Sequence, residues 1–306
     1  MELIKPGTDF NFVERMKLAF FISLALIVIS ALSLIIHKGP NLGIDFAGGT
    51  LVQIKFKEQT SVNDIRNRLK TIDLGNSIIQ RFGYHDNNEF LIKTERSSSE
   101  LKGLEGMIED ALKTAYPEGS FEIRRVEVVG PKVGKDLRQK GMLAMLYAMA
   151  GILIYITWRF EFRYAIGAII ALVHDVIITV GIFSILDKEF TLPIIAALLT
   201  IIGYSLNDTI VVYDRIRENF RSQRRQTLKQ IINDSINQTL SRTILTSGTT
   251  LLVIAALFFL GGAVIHDFAF ALLVGVFIGT YSSIFIASST VLAWETLKPS
   301  KRKRKR

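Results

Sequence analysis

Six long apolar stretches set what this chain can fold into. They cover residues 16–36, 141–158, 164–186, 191–213, 241–261 and 267–293. Each is near the about 20 residues that a helix, rising about 1.5 Å per residue, needs to cross the hydrocarbon of a bilayer. Backbone N–H and C=O groups find no water there, so a spanning segment must bond them internally, and the stretches read as transmembrane helices. The first, MKLAFFISLALIVISALSLII, is longer than a signal-peptide core and no small-x-small cleavage pattern follows it. It reads as an uncleaved anchor.

Basic residues orient the helices. Lys5, Arg15 and Lys17 precede the first span, and Arg159 and Arg163 lie between the second and third. Arg215, Arg217, Arg221, Arg224, Arg225 and Lys229 crowd the 214–240 loop, whereas Lys188 is the only lysine or arginine in the turns at 187–189 and 261–266. The pattern predicts cytoplasmic termini and one large domain on the far side. The chain carries a net charge of +9, of which the terminal KRKRKR supplies six. A basic run beside a membrane helix reads as a topological anchor on anionic lipid, and nucleic acid is not an expected partner. There are no cysteines, which rules out disulfides and thiolate metal sites.

Between the first and second spans, Leu42–Phe56 is strand-like around the turn DFAGGT, and Val62–Leu69 has helical spacing. Ser77–Phe82 and Glu89–Lys93 alternate as strands, Ser99–Ala115 is helical, and Phe121–Val129 alternates again. The order β-α-β-β-α-β suggests a ferredoxin-like sandwich. The expected fold class is therefore an α-helical polytopic membrane protein: six transmembrane helices and one α+β ferredoxin-like extracytoplasmic domain between the first two. Its expected parts are an N-terminus and first helix (1–36), the outer domain (37–138), a five-helix bundle with a cytoplasmic loop at 214–240 (139–293) and a basic tail (294–306). Nothing in the outer domain has metal-ligand or nucleophile–base spacing, and His85 stands alone in a polar turn.

Polar residues inside the spans are the functional clue. A carboxylate at the centre of a membrane helix costs roughly 2.5–3.5 kcal/mol on insertion scales. Positions four apart share a helix face. Gly167, Ala171, Asp175 and Thr179 line up on the third span; Ala196, Thr200, Tyr204 and Asp208 on the fourth, with Gly203 and Asn207 beside them; Arg242, Thr246 and Thr250 on the fifth, with Ser247 close. These ridges are expected to face one another or a wet crevice. Asp208 and Arg242 fall at comparable depths, so a reversible pair is within reach. Asp175 lies roughly 16 Å into its span, near mid-bilayer. A carboxylate whose surroundings alternate between apolar and cationic takes up and releases a proton, as a proton-coupled device requires. Fixed structural contacts that hold the bundle together are the alternative. On the sixth span Ala271, Gly275, Gly279, Ser283 and Ala287 form a small-residue ridge that predicts a close helix–helix interface, inside this chain or with another.

Four motifs carry a family likeness: LGIDFAGGT after the first span, ALVHD in the third, GYSLNDTIVVYDRIREN in the fourth and SRTILTSGTTLL in the fifth. Together they resemble the SecD/SecF family of bacterial protein-export membrane proteins, built on one half of the resistance-nodulation-division transporter plan, and the likeness runs over essentially the whole chain. It implies a multi-pass protein of the bacterial inner membrane, working as a heteromer with SecD beside the SecYEG translocon, with YajC and YidC as further associates. Such a pair is thought to use an ion gradient, H⁺ or Na⁺, to drive late movement and release of exported polypeptides. The resemblance assigns ion coupling to Asp208 and Arg242, marks Asp45, Gly48 and Gly49 as the family turn, and is silent on Asp175, which the ridge alone selects. A passive assembly subunit and half of a small-molecule exporter remain open. The chain has no P-loop, nucleophile elbow or HExxH motif, so it is not expected to be an enzyme or to need a cofactor.

Overall fold

The structure, a computed structural model, describes residues 9–82, 88–94, 104–117, 119–223 and 225–298. His85, Arg224, the KRKRKR tail and the start of the helix expected from Ser99 lie outside them. Among the described residues, six helices are long and apolar enough to cross a membrane: α1 (Phe12–Ile36), α5 (Pro131–Arg159), α6 (Phe162–Ile185), α7 (Leu192–Ser222), α8 (Leu228–Leu260) and a last span in which α9 (Ala263–Ser282) runs through a π-helical turn (Ser283–Ala287) into α10 (Ser288–Leu297).

Between α1 and α5 sits a head domain. After a helical turn, α2 (Ile44–Ala47), its elements are β1 (Gly49–Phe56), α3 (Val62–Leu69), β2 (Ile78–Phe82), β3 (Glu89–Thr94), α4 (Leu104–Lys113) and β4 (Phe121–Val129). The sheet order is β2-β3-β1-β4, every pair antiparallel, which is the ferredoxin-like arrangement expected from the element order. Alternation explains its core. Val52, Ile54 and Phe56 of β1, Phe90 and Ile92 of β3 and Ile79 of β2 share one face, and Ile65, Leu69, Ile108 and Leu112 cover it at helical i, i+4 spacing. On the other face Gln53 donates to Glu89 at 3.0 Å, and Arg124 pairs with the same carboxylate at 3.2 Å.

One expected strand is shorter than its sequence suggests. Leu42–Phe56 does not extend throughout: Leu42 makes an isolated bridge to Phe190, the chain coils into α2, and β1 starts only at Gly49. Gly48 and Gly49 take φ of +77° and +127°, values glycine adopts freely. The helices overrun their apolar runs. α5 begins at Pro131, inside the expected 37–138 domain, and α7 and α8 reach to Ser222 and from Leu228, filling most of the expected 214–240 loop. The extension is held by polar side chains. Asn219 donates to Ser235 at 2.9 Å and to Gln238 at 2.8 Å, and Thr227 and Gln230 form a reciprocal capping box.

Within the bundle α6, α7 and α9 are central, while α1, α5 and α8 bury less of themselves. Small residues set the spacing. Met16, Ala19, Ser23, Ser30 and Ser33 are the buried residues of α1, and α1 packs on α6. A Cβ on Gly181 would overlap Ser30, and Ser33 bonds Ser184 at 2.9 Å.

Candidate ion-coupling site

The small-residue ridge of the last span finds its partner inside this chain. A Cβ on Gly275 would collide with the Ile201 side chain, and one on Gly279 would sit 2.9 Å from the Ser205 Cβ. Both glycines thus bring α9 against α7. Ser283 and Ala287 bound the π-helical turn. A π turn displaces backbone carbonyls from their usual partners. Here Tyr213 donates to the Ala287 carbonyl at 3.1 Å and Ser288 to that of Ser283 at 3.2 Å.

Close α7–α9 packing places the two acidic residues. Asp175 of α6 is fully buried. Its Oδ2 accepts from Ser205 of α7 at 2.6 Å and from Ser282 of α9 at 2.8 Å, and its Oδ1 lies 2.9 Å from Nδ1 of His174. Ser282 is the last residue before the π turn. The His174 Nε2 lies 3.1 Å from Ser23 of α1, whose hydroxyl is 3.0 Å from that of Tyr281, which donates to the Ala19 carbonyl at 2.7 Å. The imidazole also stacks on Tyr281, with ring planes 26° apart. As the residue next to Asp175, His174 starts about 100° round the helix from it. It does leave α6 toward α1, but the ring turns back to the carboxylate. Serines spaced along the first span were the signal that α1 would supply a polar partner.

Asp208 is placed differently. It is 2% exposed, and Ser247 of α8 donates to its Oδ2 at 3.1 Å. Thr280 of α9 donates to Ser247 at 2.8 Å in turn. The neighbouring Thr209 hydroxyl is buried with no hydrogen-bond partner among the described residues. Arg242 is exposed and makes no ion pair with Asp208 among the described residues, so the two residues expected to pair are apart. It precedes Ser247 by five residues, about 140° round the helix, so Ser247 makes the direct bond to Asp208 while the Arg242 charge acts on it from beyond ion-pair distance. Ala196, Thr200, Gly203 and Asn207 of α7 are exposed too. The expected ridge on this helix therefore divides, with Asp208 turned inward and a small polar strip turned out.

The family turn joins head to bundle. Asp45 accepts from the Leu192 amide at 2.8 Å, capping α7 from another segment. A Cβ on Gly48 would fall 2.9 Å from Cα of Pro131, so only glycine lets α2 lie against the start of α5. Gly49 opens β1, paired with Val129. Gly43 donates to Phe190 at 2.9 Å, Phe190 to Asn41 at 2.6 Å, and Lys93 of β3 to Leu42 at 3.0 Å.

A six-span membrane protein with a ferredoxin-like head after its first span and polar residues packed at mid-bundle is the class these features define. The sequence profile described as "Protein export membrane protein SecD/SecF, C-terminal" matches residues 107–297, and that described as "SecD/SecF GG Motif" matches residues 33–60, which contain Gly48 and Gly49. The chain belongs to the SecD/SecF family of protein-export membrane proteins. It is 53% identical over 295 residues, 95% of its own length and 94% of the relative's, to the Protein translocase subunit SecF of Magnetococcus marinus. With the Protein translocase subunit SecF of Pseudomonas aeruginosa it shares 45% identity over 294 residues, 96% and 94% of the two chains. Among solved structures it superimposes with a TM-score of 0.84 and 40% identity on SecDF, a translocon-associated membrane protein from Thermus thermophilus, covering 95% of this chain and 39% of that one. Against SecDF in a super-membrane-facing form the TM-score is 0.69 at 39% identity, covering 97% and 40%.

Proposed function

We propose that this chain acts as a SecF-type subunit of the Sec protein-export machinery in the bacterial inner membrane, and that with a SecD partner it couples ion flow to the late movement and release of exported polypeptides. The observation that carries the coupling is Asp208: a buried carboxylate in an apolar span, held by one hydroxyl and with no ion-pair contact among the described residues. A residue placed only to fasten helices gains most from a full set of partners. Asp208 lacks that set, which leaves room for an ion to bind and leave. Arg242 of α8 is the cation whose charge acts on Asp208, and it supplies the switching charge when the bundle rearranges.

The outward strip of Ala196, Thr200, Gly203 and Asn207 supports a heteromer. Thr200 satisfies its proton on the Ala196 carbonyl at 2.9 Å, but lipid offers the exposed Asn207 amide no hydrogen bonds, whereas a second helix would, and small residues admit close approach. That the chain spans 39% of the SecDF chain it superimposes on agrees with a SecD companion supplying the rest. Association with SecYEG, YajC and YidC, the cytoplasmic placement of both termini and H⁺ or Na⁺ as the coupling ion belong to the same reading through the family.

The deciding experiment is gradient-dependent export in inverted membrane vesicles carrying wild type or Asp208→Asn, at matched levels of assembled complex, with ATP withdrawn after the early step. Coupling requires late movement to need the gradient and to fall at least tenfold with asparagine. Equal gradient-driven movement by the variant makes Asp208 a structural contact. Loss of the partner from the variant, with no selective loss of movement in what remains assembled, supports the passive-subunit reading.

A further inference from the structure

The hydrogen bonds around Asp175 fix a proton count. Tyr281 has one hydroxyl proton, and a carbonyl cannot donate, so that proton goes to Ala19 at 2.7 Å. The 3.0 Å contact between Tyr281 and Ser23 then needs the Ser23 proton. With that proton used, the 3.1 Å contact from Ser23 to His174 requires an N–H on Nε2. The remaining contact, Nδ1 to Oδ1 at 2.9 Å, also needs a proton between its atoms, since two lone pairs would otherwise face each other in a dry site. Neutral histidine with ionised Asp175 supplies one ring proton, and the geometry calls for two.

We propose that His174 and Asp175 form a one-proton site whose proton fastens α1, α6, α7 and α9. The proton lies between Nδ1 and Oδ1 while Nε2 keeps its own. Written as imidazolium with carboxylate or as neutral imidazole with carboxylic acid, the pair has zero net charge, as burial among apolar helices demands. The groups that face it are hydroxyls: Ser23 from α1, Ser205 from α7, and Tyr281 and Ser282 from α9. Tyr281 is the one other titratable group there, and no lysine or arginine pairs with Asp175 among the described residues.

Releasing the proton to water leaves one N–H on the ring and a negative pair. If that N–H stays on Nε2, Nδ1 and Oδ1 repel at the contact inside α6. If it moves to Nδ1, Ser23 must turn its proton to Nε2, and the Ser23–Tyr281 contact between α1 and α9 loses its donor. Either way one contact of the cluster opens. Ser205 is three residues from Asp208 on α7, so a change here reaches the helix that carries the other carboxylate. The proton count itself stands on the hydrogen bonds and holds whether or not Asp208 couples to a gradient.

The test is ¹⁵N and ¹³C magnetic resonance of the full chain in lipid bilayers near neutral pH, reading the His174 ring nitrogens and the Asp175 carboxyl after sequential assignment. The expected spectrum has Nε2 protonated, together with either a protonated Nδ1 or a protonated carboxyl. A bare Nε2 with Nδ1–H and an ionised carboxylate overturns the proposal. Ser23→Ala, which removes the Nε2 acceptor but leaves the pair intact, is expected to move ring protonation from Nε2 toward Nδ1. Unchanged ring signals in that variant overturn the hydroxyl relay as the cause. Both readings are made on the resting chain, so they are independent of the export assay on Asp208.

Discussion

Asp175 and Asp208 answer the same problem, a carboxylate inside a membrane helix, in opposite ways. Asp175 is bonded from two other helices, α7 and α9, besides its own chain neighbour His174, and both of its oxygens are bonded. Asp208 accepts one hydroxyl on one oxygen, on a helix whose adjacent face is turned outward. Identical side chains thus serve different ends according to how many partners the packing supplies. The enclosed group acts within this chain. The half-served one looks to a neighbour.

The comparison breaks most easily at the enclosed site. Asp175→Ala strands Ser205, Ser282 and His174 in a dry interior and is expected to destabilise the chain by about 3–5 kcal/mol. Denaturant unfolding in detergent measures this, and a change no larger than that of Asp208→Ala, expected at about 1 kcal/mol for a single lost hydrogen bond, would erase the distinction. Gly275→Leu drives a side chain into Ile201 and separates α9 from α7, at about 1–3 kcal/mol. Its effect should appear both in thermal unfolding and in weaker protection of the Ser205 hydroxyl contact. Asp45→Ala removes the cap from Leu192 and should cost about 1 kcal/mol, with faster amide exchange confined to the first turn of α7. The smallest effect sharpens the contrast: Asn207→Leu on the outward strip should change the stability of the isolated chain by about 0.5 kcal/mol or less. The same substitution should lower co-purification of a SecD partner several-fold.

How far the sequence could be read depended on where the deciding contact lay. Val62–Leu69 and Phe121–Val129 were legible to the residue, because each is a short element whose own alternation or helical spacing meets one core. Helix ends were less so. An apolar run stops where lipid stops, but α7 and α8 continue as a polar hairpin, and the only local sign was the capping sequence around Thr227 and Gln230. The ridge on α6 was right in direction, since Gly167, Ala171, Asp175 and Thr179 are all buried. On α7 the same spacing misled, because a stripe of period four drifts round a helix of 3.6 residues per turn. Ala196 and Thr200 end up outside while Asp208 ends up inside. The Asp175 cluster needed Ser23 and Tyr281, more than a hundred residues away on either side, and no spacing within one span encodes such a meeting.

The joint at Asp45 has a mechanical meaning. Residues 41–45 bond to residues 187–192, so the base of the head and the start of α7 are one hydrogen-bonded piece. From Leu192 the helix runs unbroken to Ser222, and Asp208 lies about 24 Å along it. A rod clamped at one end transmits tilt to its middle. Any force on the head is therefore felt as a displacement at Asp208, and by reciprocity any preference of Asp208 for one tilt is an equal bias on the angle of the head.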